Sequence, residues 1–268
     1  MQERNTARRE IPDVLAALGL RPLAARSVVA SVLLGTHPPR LATAALVELC
    51  ARFGISPGTT RVALSRMVAA GELAAEDGHY RLVGKGLLSR QRTQDDALEP
   101  PAVPWTGAWR MAVVVSGGRA AAERIELRRA FADARFAQWR EGVWLRPNNL
   151  GRPTPVVLDE APVRWMTVAP DDDPGALAAE LWDLAAWATR GEALLAAGPD
   201  QPGDLVTAAP EWAAAVFTAA AATLRHLRTD PLLPAELLPP DWPADRLRTR
   251  YALYLSAIQR LVRHLSEA

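Results

Sequence analysis

Arg61, Ser65 and Arg66 lie in the run Gly58–Ala70 (GTTRVALSRMVAA), whose apolar members recur at helical spacing. Thr60, Ala63, Leu64 and Met67 stand at i, i+3, i+4 and i+7 and form an inward stripe. Thr59, Arg61, Val62, Ser65 and Arg66 then share the outward face. A guanidinium can bond guanine O6 and N7 together, discriminating against other bases by about 1–3 kcal/mol. Ser and Thr hydroxyls can take phosphate oxygens or base edges. Arg61 sits in the first turns of the helix, where base-edge contacts concentrate. We assign Arg61 and Ser65 to base readout and Arg66 to base or phosphate. The alternative for either arginine is an ion pair with an acidic residue of its own domain.

The neighbouring elements must present that face. Ser56 is a suitable N-cap and Pro57 suits the first helical position. The backbone amides there, with the Ser56 and Thr59 hydroxyls, can meet a phosphate. An earlier helix pattern, Thr43–Phe53, runs into the turn Gly54-Ile55-Ser56-Pro57. Leu23–Leu34 (LAARSVVASVLL) precedes both, with Val28, Val29, Val32 and Leu33 placed to pack on them. Gly71 stops the second helix. Two strand-like runs, Leu73-Ala74-Ala75 and His79–Val83, then flank the turn Glu76-Asp77-Gly78. The order predicts a winged helix-turn-helix whose second helix fits a DNA major groove. The wing turn is acidic, so only His79 and Arg81 are placed to help it touch phosphate.

The charge distribution agrees with a polyanion-binding head. Net charge is only +1, yet residues 1–92 hold 13 Arg/Lys against 7 Asp/Glu, and the remainder holds 18 against 23. Only one of these cations, Lys85, is lysine, so arginine is common along the whole chain and weak as a marker by itself. The single cysteine, Cys50, excludes an intramolecular disulfide and predicts a reducing, cytoplasmic compartment. Met1–Glu10 reads as a polar, frayed tail rather than a leader. No apolar run reaches the roughly 18–20 residues of a membrane helix; Ala-rich Trp212–Leu224 comes nearest.

The division expected is a tail over 1–22, the DNA-binding head over 23–98, a Pro-rich linker over 99–104 (EPPAVP), a middle domain over 105–190 and a helical domain over 191–268. Lys85–Gln94 reads as a basic helix-like stretch leading into the linker. In the middle domain, Trp109–Ser116 reads as a buried strand, and Ala120–Ala134 as a helix with Ile125, Leu127 and Phe131 inward. Gly142–Leu145 and Val163–Val168 read as strands with a turn at Pro147-Asn148-Asn149, followed by a helix over Gly175–Arg190. This is an α+β pattern of ferredoxin-like type. Asp204–Arg228 and Ala244–Ser266 read as long helices, separated by the Pro-rich, irregular Asp230–Pro243. Leu253, Leu255, Ile258, Leu261, Val262 and Leu265 offer either a dimer interface or a core.

Other chemistry is thin. His37, His79, His226 and His264 have no metal-ligand spacing with one another or with Cys50, which reads as a small buried residue. Gly84-Lys85-Gly86 lacks the rest of a phosphate-binding loop. The 9 tryptophans read as core and interface anchors.

The chain resembles the PaaX family of bacterial transcriptional repressors. The resemblance rests on Ala25-Arg26-Ser27, Gly54-Ile55-Ser56, Arg61 with Ser65-Arg66, and Tyr80-Arg81-Leu82 in the head. It continues in Trp105-Thr106-Gly107-Ala108-Trp109-Arg110, in Gly142–Leu150 (GVWLRPNNL) and in Asp230–Pro243 (DPLLPAELLPPDWP). It implies a winged head, a middle domain like the Cas2 ferredoxin-like nucleases and a helical C-terminal domain. It also implies a homodimer on a palindromic double-stranded operator, released by an acyl-CoA such as phenylacetyl-CoA, in control of phenylacetate or related catabolism. An acyl-CoA needs cations, an apolar slot and a surface for adenine. Trp144, Arg146 and Asn148, with Arg128 and Arg129 on the preceding helix, are the candidate effector residues; a purely structural role for Arg146 and Asn148 is the alternative.

Two rival readings remain: a Cas2-like nucleic-acid enzyme with a DNA anchor, and a ligand-independent activator or architectural DNA-binding protein. Cas2-like nucleases carry a metal-holding Asp at the end of the first strand. Here that strand ends Val115-Ser116-Gly117, and Ser is a poor Mg²⁺ ligand beside a carboxylate. Asp171-Asp172-Asp173 reads as helix N-terminal charge on a solvated loop. No catalytic residue, metal or cofactor is expected. Purified protein should leave supercoiled plasmid intact with Mg²⁺; sustained cutting abolished by Ser116→Ala would contradict this.

Overall fold

A computed structural model describes residues 13, 15–36, 38–83, 94–115, 121–151, 158 and 162–267. In chain order the elements are α1 (Ala25–Leu34), β1 (Arg40–Ala42), α2 (Thr43–Arg52), α3 (Pro57–Ala69), β2 (Leu73–Glu76) and β3 (His79–Leu82). There follow β4 (Trp109–Val114), α4 (Ala121–Asp133), β5 (Ala137–Arg140), β6 (Val143–Pro147) and β7 (Val163–Val168). The last are α5 (Pro174–Leu181), α6 (Leu184–Ala197), α7 (Pro210–Leu227), a 3₁₀ turn at Ala235–Leu237, and α8 (Ala244–Glu267). They form two compact units: Met1–Gln94 with Arg190–Arg228 and Pro243–Ala268, and Asp95–Thr189 with Thr229–Trp242.

In the first unit, α1, α2 and α3 pack on one another beside a three-stranded antiparallel sheet of order β1-β3-β2. Local signals set the helix limits. Ser56 caps α3, its hydroxyl accepting the Thr59 amide at 3.2 Å, and Pro57 occupies the first turn. α2 and α3 both end on glycine in the left-handed region, Gly54 at φ 76° and Gly71 at φ 68°. In each case a later amide reaches back five residues, Ile55 to Cys50 O and Glu72 to Met67 O, both at 2.9 Å. The β2–β3 turn has positive φ at Asp77 and Gly78, which matches the twist of a tight hairpin. The amide and hydroxyl of Thr43 both donate to Gly78 O at 2.9 Å, tying that turn to the start of α2.

α7 and α8 also pack on α2 and on each other. α8 buries Leu247, Tyr251, Tyr254, Ile258 and Leu261, a stripe at alternating spacings of four and three. α7 is rich in buried small residues, and its Phe217 ring lies 4.6 Å from that of Phe53 at the end of α2. Arg250 of α8 closes the C-terminal end of α6, donating to Leu195, Gly198 and Pro199 carbonyls and pairing with Asp200. Residues 191–268, expected as a domain of their own, are therefore shared out: 190–228 and 243–268 group with the head and 229–242 with the other unit.

The second unit is built on a four-stranded antiparallel sheet of order β5-β6-β4-β7. β6 lies between β4 and β5, so β4–α4–β5 is a split β-α-β unit, as in ferredoxin-like folds. One sheet face carries Trp109 and Leu145 against Leu177 and Ala178 of α5, with Leu233 and Leu237 from the Pro-rich segment. Asn149 anchors that segment, its side-chain amide donating to Leu232 O at 2.8 Å, while Trp242 stacks on Trp187 at 4.3 Å. The other face carries Ala112 and Trp144 against Leu127 and Phe131 of α4.

Three details differ from the sequence expectations. Ile125 is 67% exposed rather than inward, because it stands two residues from Leu127, about 200° round a helix, while Phe131 stands four away on the buried side. The helix expected over Gly175–Arg190 is broken, since Trp182 is extended and packs by Trp109, and Asp183 caps a new helix through the Ala186 amide. The helix expected from Asp204 starts at Pro210, because Asp204 instead binds the Val206 amide and Thr207 hydroxyl in a preceding turn. β1 and β5 have no counterpart in the sequence reading. Phe131 is fully buried and stacks on Trp144 at 4.6 Å, so Phe131→Ala should cost about 3–5 kcal/mol, measured as a lower denaturant midpoint.

Candidate nucleic-acid interface

α3 has two faces fixed by burial. Thr60, Leu64 and Met67 are buried and Ala63 is half-buried, so Thr59, Arg61, Val62, Ser65 and Arg66 are turned outward and exposed. Thr60 is held from within, its hydroxyl donating to Ser56 O at 3.2 Å. Burial pushes the Cys50 thiol up, so it is a packing residue rather than a thiolate. Val62 is 52% exposed, an apolar side chain between arginines. Arg61 and Arg66 make no ion pair among the described residues. Ser56 and Thr59 are exposed at the helix start with their hydroxyls 2.9 Å apart.

The hairpin is differently arranged. Arg81 pairs with Glu76 at 3.1 Å, and the His79 ring Nδ1 lies 2.8 Å from Asp77 O, so both expected wing contacts are engaged with the wing itself. Arg40 on β1 stands directly across from Arg81, is exposed, and makes no ion pair among the described residues. It is a basic residue beside the hairpin that the sequence reading missed. Its only local signal was a three-residue strand after two prolines, too short for periodicity to reveal.

The expected effector residues do not converge. Trp144 is 8% exposed and packed against Phe131 under α4, so its ring belongs to the core rather than to a ligand site. Arg146 lies over the Phe136 ring at 5.0 Å and donates to Pro147 O. Burial, and then the neighbouring Arg110, lower its guanidinium to about 10. Arg110 is its cross-strand partner and sits over Trp165 at 5.1 Å. Asn148 is exposed, and so are Arg128 and Arg129 on α4, with Arg129 3.9 Å from Asp133. The structural asparagine of this stretch is Asn149, which sequence alone did not single out.

Asp173 caps α5 through the Ala176 amide at 2.8 Å, which accounts for the acidic run before it. Ser116 lies outside the described residues. Among the described residues no group of three or more His, Cys, Asp or Glu is placed to hold a metal, and no helix is long and apolar enough to cross a membrane.

Comparison with known proteins bears on both units. Residues 24–86 match the family model of the PaaX-like protein, and residues 102–169 match that of the PaaX protein central Cas2-like domain. The solved structure of the uncharacterized protein Rv0674 from Mycobacterium tuberculosis is 42% identical, with a TM-score of 0.70, over 90% of this chain and 98% of that one. The chain belongs to the PaaX family. PaaX proteins are in general transcriptional regulators of phenylacetate catabolism, and β4–β7 with α4 fall within the match to their central domain. No curated protein matches the chain.

The start of α3 depends on one hydroxyl. Ser56→Ala should destabilise the chain by about 1 kcal/mol, whereas Ser56→Asp, which restores a capping oxygen, should not; urea titration of both variants checks it.

Proposed function

We propose that this PaaX-family chain is a dimeric transcriptional repressor. α1–α3 with the β2–β3 hairpin act as a winged helix-turn-helix head, and α3 enters the major groove. The observation that carries the reading is the exposed face of α3: Arg61 and Arg66 without carboxylate partners among the described residues, with Ser65 and Val62 between them, behind a capped turn. Arg61 and Ser65 read base edges, Val62 supplies apolar contact to a thymine methyl, and Arg66 takes base or phosphate. Ser56 and Thr59 with the first amides of α3 meet the phosphate backbone.

Two heads related by a two-fold axis meet half-sites about 34–36 Å apart, or a multiple of that, on a palindromic operator. The genes controlled serve phenylacetate or related aromatic catabolism, and an acyl-CoA such as phenylacetyl-CoA releases the operator by favouring the unbound state. Arg81 is paired with Glu76, so Arg40, which has no ion pair among the described residues, is the basic residue of that sheet better placed to take a phosphate.

Mobility shifts on the operator beside the controlled operon test the reading. Arg61→Ala should lose about 10- to 100-fold on the operator and much less on random DNA, the loss expected for one bidentate base contact. Equal loss on both makes Arg61 a phosphate contact, and no loss on either overturns the assignment of α3.

A further inference from the structure

Within the first unit, α1, α7 and α8 enclose a cavity of about 620 Å³, within the roughly 300–1,000 Å³ range of small-molecule sites. Its walls are of two kinds. Phe217, Leu255 and Ile258 give it an apolar lining. Arg225 of α7 and Arg263 of α8 are exposed at it and make no ion pair among the described residues. A third cation, Arg26 of α1, lines the same cavity but is held by Glu72, with Nε donating to Oε2 at 3.0 Å and a second bond beside it.

We propose that this cavity is the effector site and that its ligand is a small amphipathic anion: a group of benzene-ring or short acyl size joined to a carboxylate or phosphate. The inference rests on the effector-released repressor reading and gives that effector a place. The apolar group lies against Phe217, Leu255 and Ile258. The anion is drawn by Arg225 and Arg263 and competes with Glu72 for Arg26.

That competition reaches the DNA-facing helix through covalent neighbours. Glu72 follows Gly71 at the end of α3; its amide closes that helix on Met67 O and its carbonyl accepts the Val83 amide. The Arg26–Glu72 pair thus ties α1 to the junction of α3 and the hairpin. A ligand that takes Arg26 loosens the tie. Phe217 supplies a second route, because its ring packs on Phe53, the C-cap residue of α2 just before the turn into α3. An exposed ion pair contributes little to stability, so it can be exchanged without unfolding the head.

Calorimetric titration of the full chain with phenylacetyl-CoA, phenylacetate and CoA tests the proposal. The wild-type chain should bind the thioester or the free acid, and CoA at least tenfold more weakly than the better of the two. Arg225→Ala with Arg263→Ala should weaken that binding at least tenfold. Glu72→Gln, which frees Arg26, should tighten it severalfold, a gain that loss of structure cannot produce. If the wild-type chain binds and the double arginine variant binds as well, the cavity is not the site and the effector reading survives. CoA binding as tightly as the thioester, with the acid not bound, removes the apolar half of the proposal and overturns it. Unchanged or weaker binding by Glu72→Gln overturns the competition at Arg26. No binding of any of the three probes to the wild-type chain overturns the effector reading and the site together.

Discussion

Three side chains on α3, Thr60, Leu64 and Met67, are buried against α1 and α2, and they fix the rotation of that helix about its own axis. A turn of 100° per residue leaves no freedom once these three point inward. Arg61, Val62, Ser65 and Arg66 must then point out, whatever else the chain does. The Thr60 hydroxyl strengthens the constraint, because a buried polar group in the wrong place would lose its bond to Ser56 O. The chemistry offered to a polyanion follows from packing rather than from the number of arginines, which are spread along the whole chain.

The same unit also holds the long C-terminal helices. α7 and α8 bring their buried stripes onto α2, which in turn packs on α3. The Phe53–Phe217 contact joins α7 to the end of α2, and the Arg26–Glu72 pair joins α1 to the end of α3. In the second unit, by contrast, several side chains in and around the expected effector stretch are tied into its own architecture. Trp144 fills the space under α4, Asn149 anchors the Pro-rich segment, and Asp173 caps a helix.

Much of the head was legible from short-range signals. Ser56 and Pro57 mark the start of α3, and Gly54 and Gly71 end α2 and α3. These depend on a few neighbouring residues, so sequence carries them. What failed to show is non-local. The α8 stripe from Leu247 to Leu261 reveals an apolar face but not that α2 and α7 cover it. Ile125 is apolar like Leu127 and Phe131 yet sits on the opposite side of α4 from them. β1 is too short for a period, so Arg40 was invisible as a basic residue of the sheet. The assignment of Trp144 to a ligand failed because residue type cannot tell a stacking platform from a core ring; only its burial against Phe131 does.

On the proposed function, the Arg61–Arg66 face of α3 meets DNA. Photo-crosslinking from a benzophenone amino acid tests it most directly, placed in turn at Val62 on α3 and at Ala75 on the hairpin, with the full chain bound to its operator. Position 62 should give a strong protein–DNA crosslink that unlabelled operator competes away and random DNA does not. Crosslinking from position 75 with none from 62, in a complex of unchanged affinity, would contradict it.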